Sequence, residues 1–414
     1  MKNSFETDSY PGKPKILFIG FAESTHTHAW IDLLKDAPVN VRLFGLHTTH
    51  LPPKNWPVKT YITTYPSLKL DSTTRKCLYP ANRTGRFCKR QAGRFFWGST
   101  DAFEQRWLAQ IIQTWEPDII HTLGLDPAGY FYFQARQTFK LAKIGLWIVQ
   151  VRGGSDLTLS RLDPAQVPRI KKVLNECDQV LSDNKVNFTF VQELGVNKEH
   201  IASLSPIPGT GGIDVTSLLQ YRCDPPSSRR MILWPKAYDS PWSLALPVFE
   251  AIKLIWAHIQ PCHIHMLAMT PQTRMWYWEL PEEIRAYCHC EQKIPREKVL
   301  TLMGQARIML APSLVDGIPN ALYEAMAAGA FPIVSPLETI RTLVEDETNV
   351  LFARNLYPHE IAEAIRRAMS DDALVDKAAE NNLELVQRVA NRTVIGPQVV
   401  EFYKQLATQA QRIP

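Results

Sequence analysis

Several features that mark membrane-spanning, secreted or fibrous proteins are missing from this chain of 414 residues. No apolar run approaches the ~20 residues needed to span a bilayer, and residues 1–10 lack the apolar core of a signal peptide. The seven cysteines are odd in number and irregularly spaced, which argues against a disulfide framework. No repeat recurs at the periods of solenoids or propellers. We therefore expect a cytoplasmic globular protein.

Length and charge set only broad limits. At 414 residues the chain exceeds one typical core and predicts two domains of about 200 residues each. Its 45% hydrophobic and 21% charged residues are typical of a globular protein. The net charge of +5 is mild, so the position of the charges is more informative than their sum.

Apolar runs alternate with helical patterns in both halves of the chain. Strands are predicted at residues 15–20, 41–46, 118–121, 146–151, 180–182, 231–234, 263–268, 306–311 and 331–334. This alternation predicts a doubly wound parallel sheet in each half. A zone rich in Pro, Gly and Ser, residues 205–228, contains the predicted linker, and the tail at 358–406 reads as helical.

Residues 312–329 carry the most informative pattern. Asp316 and Glu324 stand eight positions apart, in a loop that follows a strand and in the helix predicted at 320–328. Gly329 is a predicted helix stop. Open α/β sheets bind ligands at the carboxyl ends of their strands. Alternatively, acids in and before a first helical turn only stabilise the helix dipole, by about 0.3–1 kcal/mol.

This stretch resembles the acidic donor-site motif of retaining GT-B glycosyltransferases of family four, the group 1 type. That motif has two acids flanking seven residues and a helix reading E-A-M-A-x-G, and residues 324–329 read EAMAAG. Pro312 and Ser313 match the residues before the loop. The first acid is Asp316, where the family usually has glutamate. The resemblance covers nearly the whole chain in its order of domain, linker, domain and helical tail.

The resemblance implies an α/β fold with two Rossmann-like doubly wound domains facing across a cleft, the GT-B arrangement. Residues 1–213 would form the acceptor-side domain, 214–395 the nucleotide-sugar donor domain, and 396–414 a helix returning to the first domain. It implies a metal-independent, retaining transferase that uses a nucleotide sugar and needs no cofactor. The sugar would pass to a glycan, glycolipid or small-molecule acceptor, for example in polysaccharide biosynthesis.

The resemblance also assigns roles in the donor site. Asp316 would hold sugar hydroxyls near the reacting carbon, and Glu324 would accept both ribose hydroxyls. Main-chain N–H groups of Gly317, Ile318 and Asn320 would contact the sugar or the phosphates.

Lys236 is the predicted donor-side cation. It follows the strand at 231–234, where the family commonly has Gly-Arg and then a lysine, and Lys236-Ala237-Tyr238 resembles a Lys-Gly-Tyr variant. No second lysine occurs before Lys253, so diphosphate binding would depend on one clear cation and on backbone N–H groups. Without the resemblance, Lys236 would be interpreted as a solvated surface lysine.

Two loops of the first half supply further candidates. Residues 20–28 join the first strand to the first helix and resemble the Ser-x-His-Thr loop of family-four enzymes, with Ser24 and His26 as the best matches. A helix cap at Thr25 or Thr27 is the alternative.

The second loop, residues 152–156, follows the strand at 146–151 and resembles the family's His-Gly or Arg-Gly with a following Asp. Arg152 suits a phosphate. Asp156 would accept sugar hydroxyls on the acceptor side or cap the next helix.

Metal binding is not expected. Cys262, His263 and His265 with Cys288 and Cys290 lack C-x-x-C spacing and would alternate between strand faces. Buried cysteines are the simpler interpretation.

Residues 75–94 carry seven basic residues and no acid. The lack of periodicity predicts a loop ordered on binding or a short helix. Its partner would be an anionic or lipid-linked acceptor, or the inner face of the membrane, and each basic residue near an anionic surface contributes about 1 kcal/mol. A solvated basic loop is the alternative, and a nucleic-acid site has no accompanying motif.

A rival hypothesis is a non-catalytic binding or scaffold protein derived from a glycosyltransferase. Asp316 in place of Glu and the missing second cation favour it, whereas Glu324, Lys236 and Arg152 count against it.

Overall fold

The computed structural model describes residues 5–46, 50–64, 70, 72–78, 80, 82–204, 206–292 and 294–411. The chain forms two compact units. The first comprises Met1–Asp183, Asn187–Gly211 and Gly396–Pro414, and the second comprises Asn184–Val186 and Gly212–Ile395. In the described ranges, every helix is too short or too polar to cross a bilayer.

The first unit contains a parallel sheet with the strand order β4-β3-β2-β1-β5-β6-β7 among the described residues. Its strands are β1 (Lys15–Gly20), β2 (Asn40–Gly45), β3 (Lys59–Thr64), β4 (Thr74–Leu78), β5 (Ile119–Leu123), β6 (Leu146–Val151) and β7 (Gln179–Ser182). Its helices are α1 (Thr25–Ile31), α2 (Arg83–Trp97), α3 (Ala102–Trp115), α4 (Tyr130–Thr138), α5 (Val167–Glu176) and α6 (Lys185–Glu193), the last beginning in the second unit.

The direction of winding reverses between β1 and β5. Ile16 of β1 lies opposite Val41 of β2 on one side and Ile119 of β5 on the other. All three side chains are apolar, and Ile16 and Ile119 are completely buried, as expected for a strand covered on both faces. The loops after β1 and β5 therefore flank the point where such sheets bind ligands.

The second unit contains a parallel sheet with the order β10-β9-β8-β11-β12-β13. Its strands are β8 (Met231–Trp234), β9 (His263–Met266), β10 (Cys288–Cys290), β11 (Ile308–Ala311), β12 (Phe331–Val334) and β13 (Leu351–Phe352). Its helices are α7 (Val215–Leu219), α8 (Leu246–Ile259), α9 (Pro271–Trp278), α10 (Glu282–Arg285), α11 (Arg296–Gln305), α12 (Asn320–Ala328), α13 (Glu338–Arg341), α14 (Pro358–Ser370) and α15 (Asp372–Val389). Here the winding reverses between β8 and β11.

The doubly wound α/β class predicted for each half is confirmed. The sequence analysis missed β3 and β4, whose sequences KTYITT and TRKCL are mostly polar and lack an apolar run.

The expectation for residues 75–94 was also incomplete. Apart from residues 79 and 81, which lie outside the described ranges, the segment contains most of β4 and of the fifteen-residue α2. Asn82 caps α2 by accepting a hydrogen bond from Gly85 N at 2.6 Å. Gly98 ends the helix at φ 70°, a conformation that favours glycine.

A last helix, α16 (Arg392–Ala410), begins in the second unit, and from Gly396 onward it belongs to the first. The Tyr403 hydroxyl accepts a hydrogen bond from Trp30 Nε1 at 3.0 Å and lies 2.5 Å from His121 Nδ1. Burial, followed by the charge of Arg152, lowers the pKa of His121 to about 3. The imidazole is thus neutral at pH 7, and its Nδ1 accepts a hydrogen bond from the Tyr403 hydroxyl.

Replacing Tyr403 with Phe should lower the free energy of unfolding by about 1–3 kcal/mol, because buried groups of Trp30 and His121 lose their shared partner. The midpoint of urea unfolding reports the change. Tyr10→Phe, at an exposed tyrosine of the same unit, is the matched control. Equal midpoints for the two variants would contradict the prediction.

Candidate active site

An ion pair joins the loops that follow β8 and β11. Lys236 Nζ lies 3.0 Å from Asp316 Oδ2, although the two residues are eighty positions apart in sequence. Parallel pairing of β8 with β11 brings the two loops to the same edge of the sheet. The side chains are 34% and 27% exposed, so a ligand can reach both from solvent.

The two charges shape each other's chemistry. Burial alone would lower the pKa of the Lys236 ammonium, but the charge of Asp316, that of Tyr238 and the hydrogen bond to Asp316 together raise it above its usual value. Lys236 is therefore a permanent cation at neutral pH. Asp316 holds it in a fixed position, as a group that stabilises developing charge requires.

Hydrogen bonds between the loops fix this arrangement. The Trp242 carbonyl, in the loop after β8, accepts hydrogen bonds from Leu314 N at 2.7 Å and Val315 N at 3.3 Å in the loop after β11. Asn355 Nδ2 donates to the carbonyls of Pro312 at 3.1 Å and Leu244 at 3.0 Å. Asn355 is nearly completely buried. The sequence analysis missed it, because it lies between the strand predicted at 331–334 and the helical tail predicted at 358–406, where no element was predicted.

The turn around Asp316 is also held from two sides. Gly317 N donates to Asp316 Oδ1 at 2.9 Å, and Thr339 Oγ1 donates to the Asp316 carbonyl at 2.8 Å. Ile318 is buried, and Asn320 is the first residue of α12. The three predicted main-chain positions, 317, 318 and 320, therefore lie in the turn after Asp316 and at the start of α12.

Glu324 is buried on α12 and pairs with a cation that the sequence analysis missed. Arg296 Nη2, on α11, donates to Glu324 Oε1. Burial raises the pKa of Glu324, and the charge and hydrogen bond of Arg296 partly offset that effect. The arginine side chain is 67% exposed and the glutamate 7%. The carboxylate is therefore buried, while the cation that binds it is open to solvent.

In the first unit, Ser24 and His26 follow β1. Ser24 is the N-cap residue of α1, and its carbonyl accepts a hydrogen bond from His28 N at 3.1 Å. The Ser24 side chain makes no capping hydrogen bond. His26 is exposed on the first turn of α1. Both side chains thus lie at the carboxyl edge of the first sheet, beside its reversal point.

Arg152 and Asp156 follow β6. Asp156 is buried, and its carboxylate accepts hydrogen bonds from Arg152 N, Leu125 N and Asp126 N at 2.9, 3.1 and 3.3 Å. It therefore fixes the loops after β5 and β6 to each other. Burial raises the pKa of Asp156, against the effect of these bonds.

Arg152 carries two buried nitrogens, Nε and Nη2, without hydrogen-bond partners in the described residues. Burial lowers the pKa of its guanidinium, while Asp156 and Asp183 act in the opposite direction. These nitrogens are donors available to a ligand.

The cysteine and histidine residues considered for zinc lie on β9 and β10 and just before β9. Among the residues that the structure describes, no three or more His, Cys, Asp or Glu side chains are grouped so as to hold a metal ion. Burial raises the pKa of the Cys262 and Cys288 thiols to about 12. This agrees with the interpretation of these cysteines as buried residues of the second unit.

Comparison with known families identifies the second unit. Residues 274–384, which include Arg296, Asp316 and Glu324, match the family model described as Glycosyl transferases group 1. This segment of the chain is similar to the group 1 glycosyltransferases. The match confirms the resemblance drawn from residues 312–329 and the prediction that the chain is a glycosyltransferase. Among curated proteins, no sequence matches the chain.

Solved structures show that the glycosyltransferase has the predicted GT-B fold. Sucrose-phosphate synthase from Thermosynechococcus elongatus matches with a TM-score of 0.66 and 17% identity over 95% of this chain and 100% of that chain. A glycosyltransferase from Rickettsia africae matches with 0.64 and 13% over 95% and 99%. Anabaena HepE in complex with UDP matches with 0.63 and 14% over 94% and 98%. At these identities the likeness shows the fold alone.

Replacing Asp316 with Asn should lower the pKa of Lys236, because burial then acts on the ammonium with less opposing charge. The ¹³C shift of the lysine ε-carbon, followed across pH, measures the change. Glu250→Gln, which removes the partner of Lys253 in the same unit, should leave the Lys236 titration in place. An unchanged titration in the Asp316 variant would show that the ion pair does not set this pKa.

Proposed function

We propose that the protein is a retaining, metal-independent glycosyltransferase that moves a sugar from a nucleotide-sugar donor to a hydroxyl group of an acceptor. The observation that carries the proposal is the ion pair between Lys236 and Asp316. Asp316 precedes the buried Glu324 by eight residues, and both acids lie in the segment that matches the family model. The geometry supplies a cation for a diphosphate, a carboxylate for the sugar and a second carboxylate for the ribose.

Glu324 is the proposed anchor of the nucleotide. Its two carboxylate oxygens can accept hydrogen bonds from both ribose hydroxyls, and bonds to a charged acceptor are about twice as strong as neutral ones. The charge and hydrogen bond of Arg296 favour the ionised carboxylate and oppose the effect of burial on its pKa. The pair thus holds Glu324 in the state that binds hydroxyl donors.

Lys236 is the proposed electrophilic catalyst. As the bond between the sugar C1 and the phosphate oxygen breaks, its electron pair remains on the diphosphate, and the positioned ammonium stabilises that charge. The acceptor oxygen forms the new bond to C1 and its proton goes to the departing phosphate oxygen. Asp316 holds sugar hydroxyls near C1, together with the main-chain groups of Gly317, Ile318 and Asn320.

The first unit is the proposed acceptor side. Arg152 Nε and Nη2, which have no partner among the described residues, suit a phosphate or sugar oxygen, and Ser24 and His26 lie at the edge where an acceptor would bind. His26 is a proposed catalytic group, because it is exposed on the first turn of α1 at this edge. Asp156 acts by positioning Arg152 through their shared loop.

The non-catalytic scaffold remains the rival function, because Asp316 is one methylene shorter than the glutamate of the family motif. The intact ion pair with Lys236 favours the enzyme. The neighbour in complex with UDP supports testing uridine nucleotides first.

Thermal unfolding in the presence of UDP-, GDP-, ADP- and TDP-sugars tests donor binding. One donor should stabilise the folded protein, by about 2.7 kcal/mol at 100 times its Kd. Glu324→Gln should weaken this effect and Glu324→Ala should abolish it, because the ribose hydroxyls lose a charged acceptor. Glu297→Ala, at an exposed carboxylate on α11 beside Arg296, is the matched control.

With that donor identified, the anomeric configuration of the product, read by NMR, tests retention, and chelator-treated protein should keep its activity. Donor binding without release of the nucleoside diphosphate, with water or with any sugar or lipid-linked acceptor tested, would support the scaffold. No stabilisation by any donor would overturn the enzyme proposal.

The acceptor is proposed to be anionic or lipid-linked and bound at the cytoplasmic face of a membrane. On α2, Arg83, Arg90 and Arg94 are exposed and lie on one side of the helix. Phe95 and Phe96 at its end are 84% and 67% exposed. Basic and aromatic side chains together suit an anionic lipid surface.

Sedimentation with vesicles tests this surface. The protein should bind vesicles that contain phosphatidylglycerol and not pure phosphatidylcholine vesicles. The double variant Arg83→Ser, Arg90→Ser should bind roughly 30-fold more weakly, at about 1 kcal/mol for each charge. Arg366→Ser, Arg367→Ser on α14, where both arginines form ion pairs with glutamates, is the control. Equal binding by both double variants would exclude α2 as the membrane contact.

A further inference from the structure

A cavity of about 570 Å³ lies within the first unit, at the carboxyl edge of its sheet. Strand ends of β2 and β3, helices α2, α3 and α4, and the loop after β5 surround it. The predicted residues Ser24, His26, Arg152 and Asp156 are not among its described lining residues. Its volume falls within the range of small-molecule sites.

Three of the residues that line this cavity carry one buried oxygen each, and these oxygens have no hydrogen-bond partner among the described residues. They are Thr63 Oγ1 at the end of β3, and Glu104 Oε2 and Gln105 Oε1 on α3. These residues are only 1%, 4% and 3% exposed. Buried polar atoms are nearly always paired, so three such oxygens around one cavity indicate a ligand that supplies the donors.

The remaining polar atoms of these side chains are already fixed. Glu104 Oε1 accepts a hydrogen bond from Lys89 Nζ at 2.5 Å, and Gln105 Nε2 donates to the Phe131 carbonyl at 3.5 Å. The contact with the Phe131 carbonyl is long, and it orients the Gln105 amide so that Oε1 is the atom without a partner among the described residues. The cavity therefore offers acceptors in defined positions.

Positive and negative side chains are equal in number around the cavity, so its lining does not favour a ligand of either charge. Three arginines and three acids line it: Arg90, Arg94, Arg169, Asp101, Glu104 and Asp126. Glu104 is further offset by Lys89. A neutral ligand with several O–H donors satisfies this lining better than a strongly charged one.

Aromatic rings form the apolar part of the wall. The rings of Phe44 and Phe131 stack with centroids 5.9 Å apart, and the Arg169 guanidinium lies 3.6 Å from the centre of the Tyr130 ring. Flat apolar faces beside hydrogen-bond acceptors match a sugar ring, which carries C–H groups on its faces and hydroxyls at its rim.

We infer that this cavity binds a neutral sugar ring of the acceptor and that Glu104 and Gln105 are specificity-determining residues which accept its hydroxyl protons. The inference rests on the proposed transfer to an acceptor and adds the chemical class of that acceptor. An anionic part of the same molecule would lie at the wall of the cavity that Arg90 and Arg94 of α2 form.

Saturation-transfer NMR of the full chain without nucleotide tests the inference. The probes are the methyl glycosides of glucose, galactose, mannose and N-acetylglucosamine. At least one should bind, and Gln105→Leu, which keeps the volume and removes the acceptor oxygen, should weaken it roughly tenfold. Glu104→Gln should also weaken it, because the amide presents at most one acceptor oxygen.

Gln113→Leu, at an exposed position of the same helix, is the control and should bind like the wild type. Thermal unfolding verifies that each variant is folded. Binding of no glycoside, or equal binding by Gln105→Leu and Gln113→Leu, would overturn the inference.

Donor binding by the second unit, read through Glu324, separates this inference from the proposed function. Donor binding without glycoside binding overturns the inference alone. Glycoside binding that depends on Gln105, without donor binding, supports the cavity and overturns the proposed transferase.

Discussion

The structure of the candidate donor site depends on one constraint, the direct pairing of β8 with β11. The chain continues from β8 through β9 and β10 on one side and then returns to β11 on the other side of β8. The loops after β8 and β11 therefore lie next to each other at the point where the winding reverses. That topology brings Lys236 to within 3.0 Å of Asp316. The bonds from Trp242 and Asn355 hold a geometry that the sheet has already created.

The sequence predicted this frame because apolar strands are its main signal. The segments 15–20, 146–151, 231–234 and 331–334 have the predicted bounds. The sequence analysis missed β3 and β4 because they are polar, and α2 because its composition is strongly basic and no apolar run marks it. Two local signals for α2 were available, namely Asn82 as its N-cap and Gly98 after its end.

Only some residues of the candidate site could be predicted from the sequence. Asp316, Glu324 and Lys236 were found through a motif and through strand ends, both of which are local features. The pairing of Arg296 with Glu324 joins residues twenty-eight positions apart on two helices, and no local pattern specifies such a contact. The same holds for Thr63 with Glu104 and Gln105, which come together only when β3 and α3 pack around one cavity.

The polar groups of the two candidate sites differ in how far they are already paired within the protein. In the second unit the charged groups are paired with each other, and a partly exposed pair such as Lys236 and Asp316 contributes only about 0–1 kcal/mol, so a ligand can rearrange it at small cost. In the first unit Glu104 Oε2, Gln105 Oε1 and Thr63 Oγ1 are buried without hydrogen-bond partners among the described residues, and each such atom costs about 1–3 kcal/mol. Only a ligand with donors in matching positions recovers that free energy. Discrimination should therefore be sharper in the first-unit cavity than at the ion pair, which places selection among acceptors in α3 and β3.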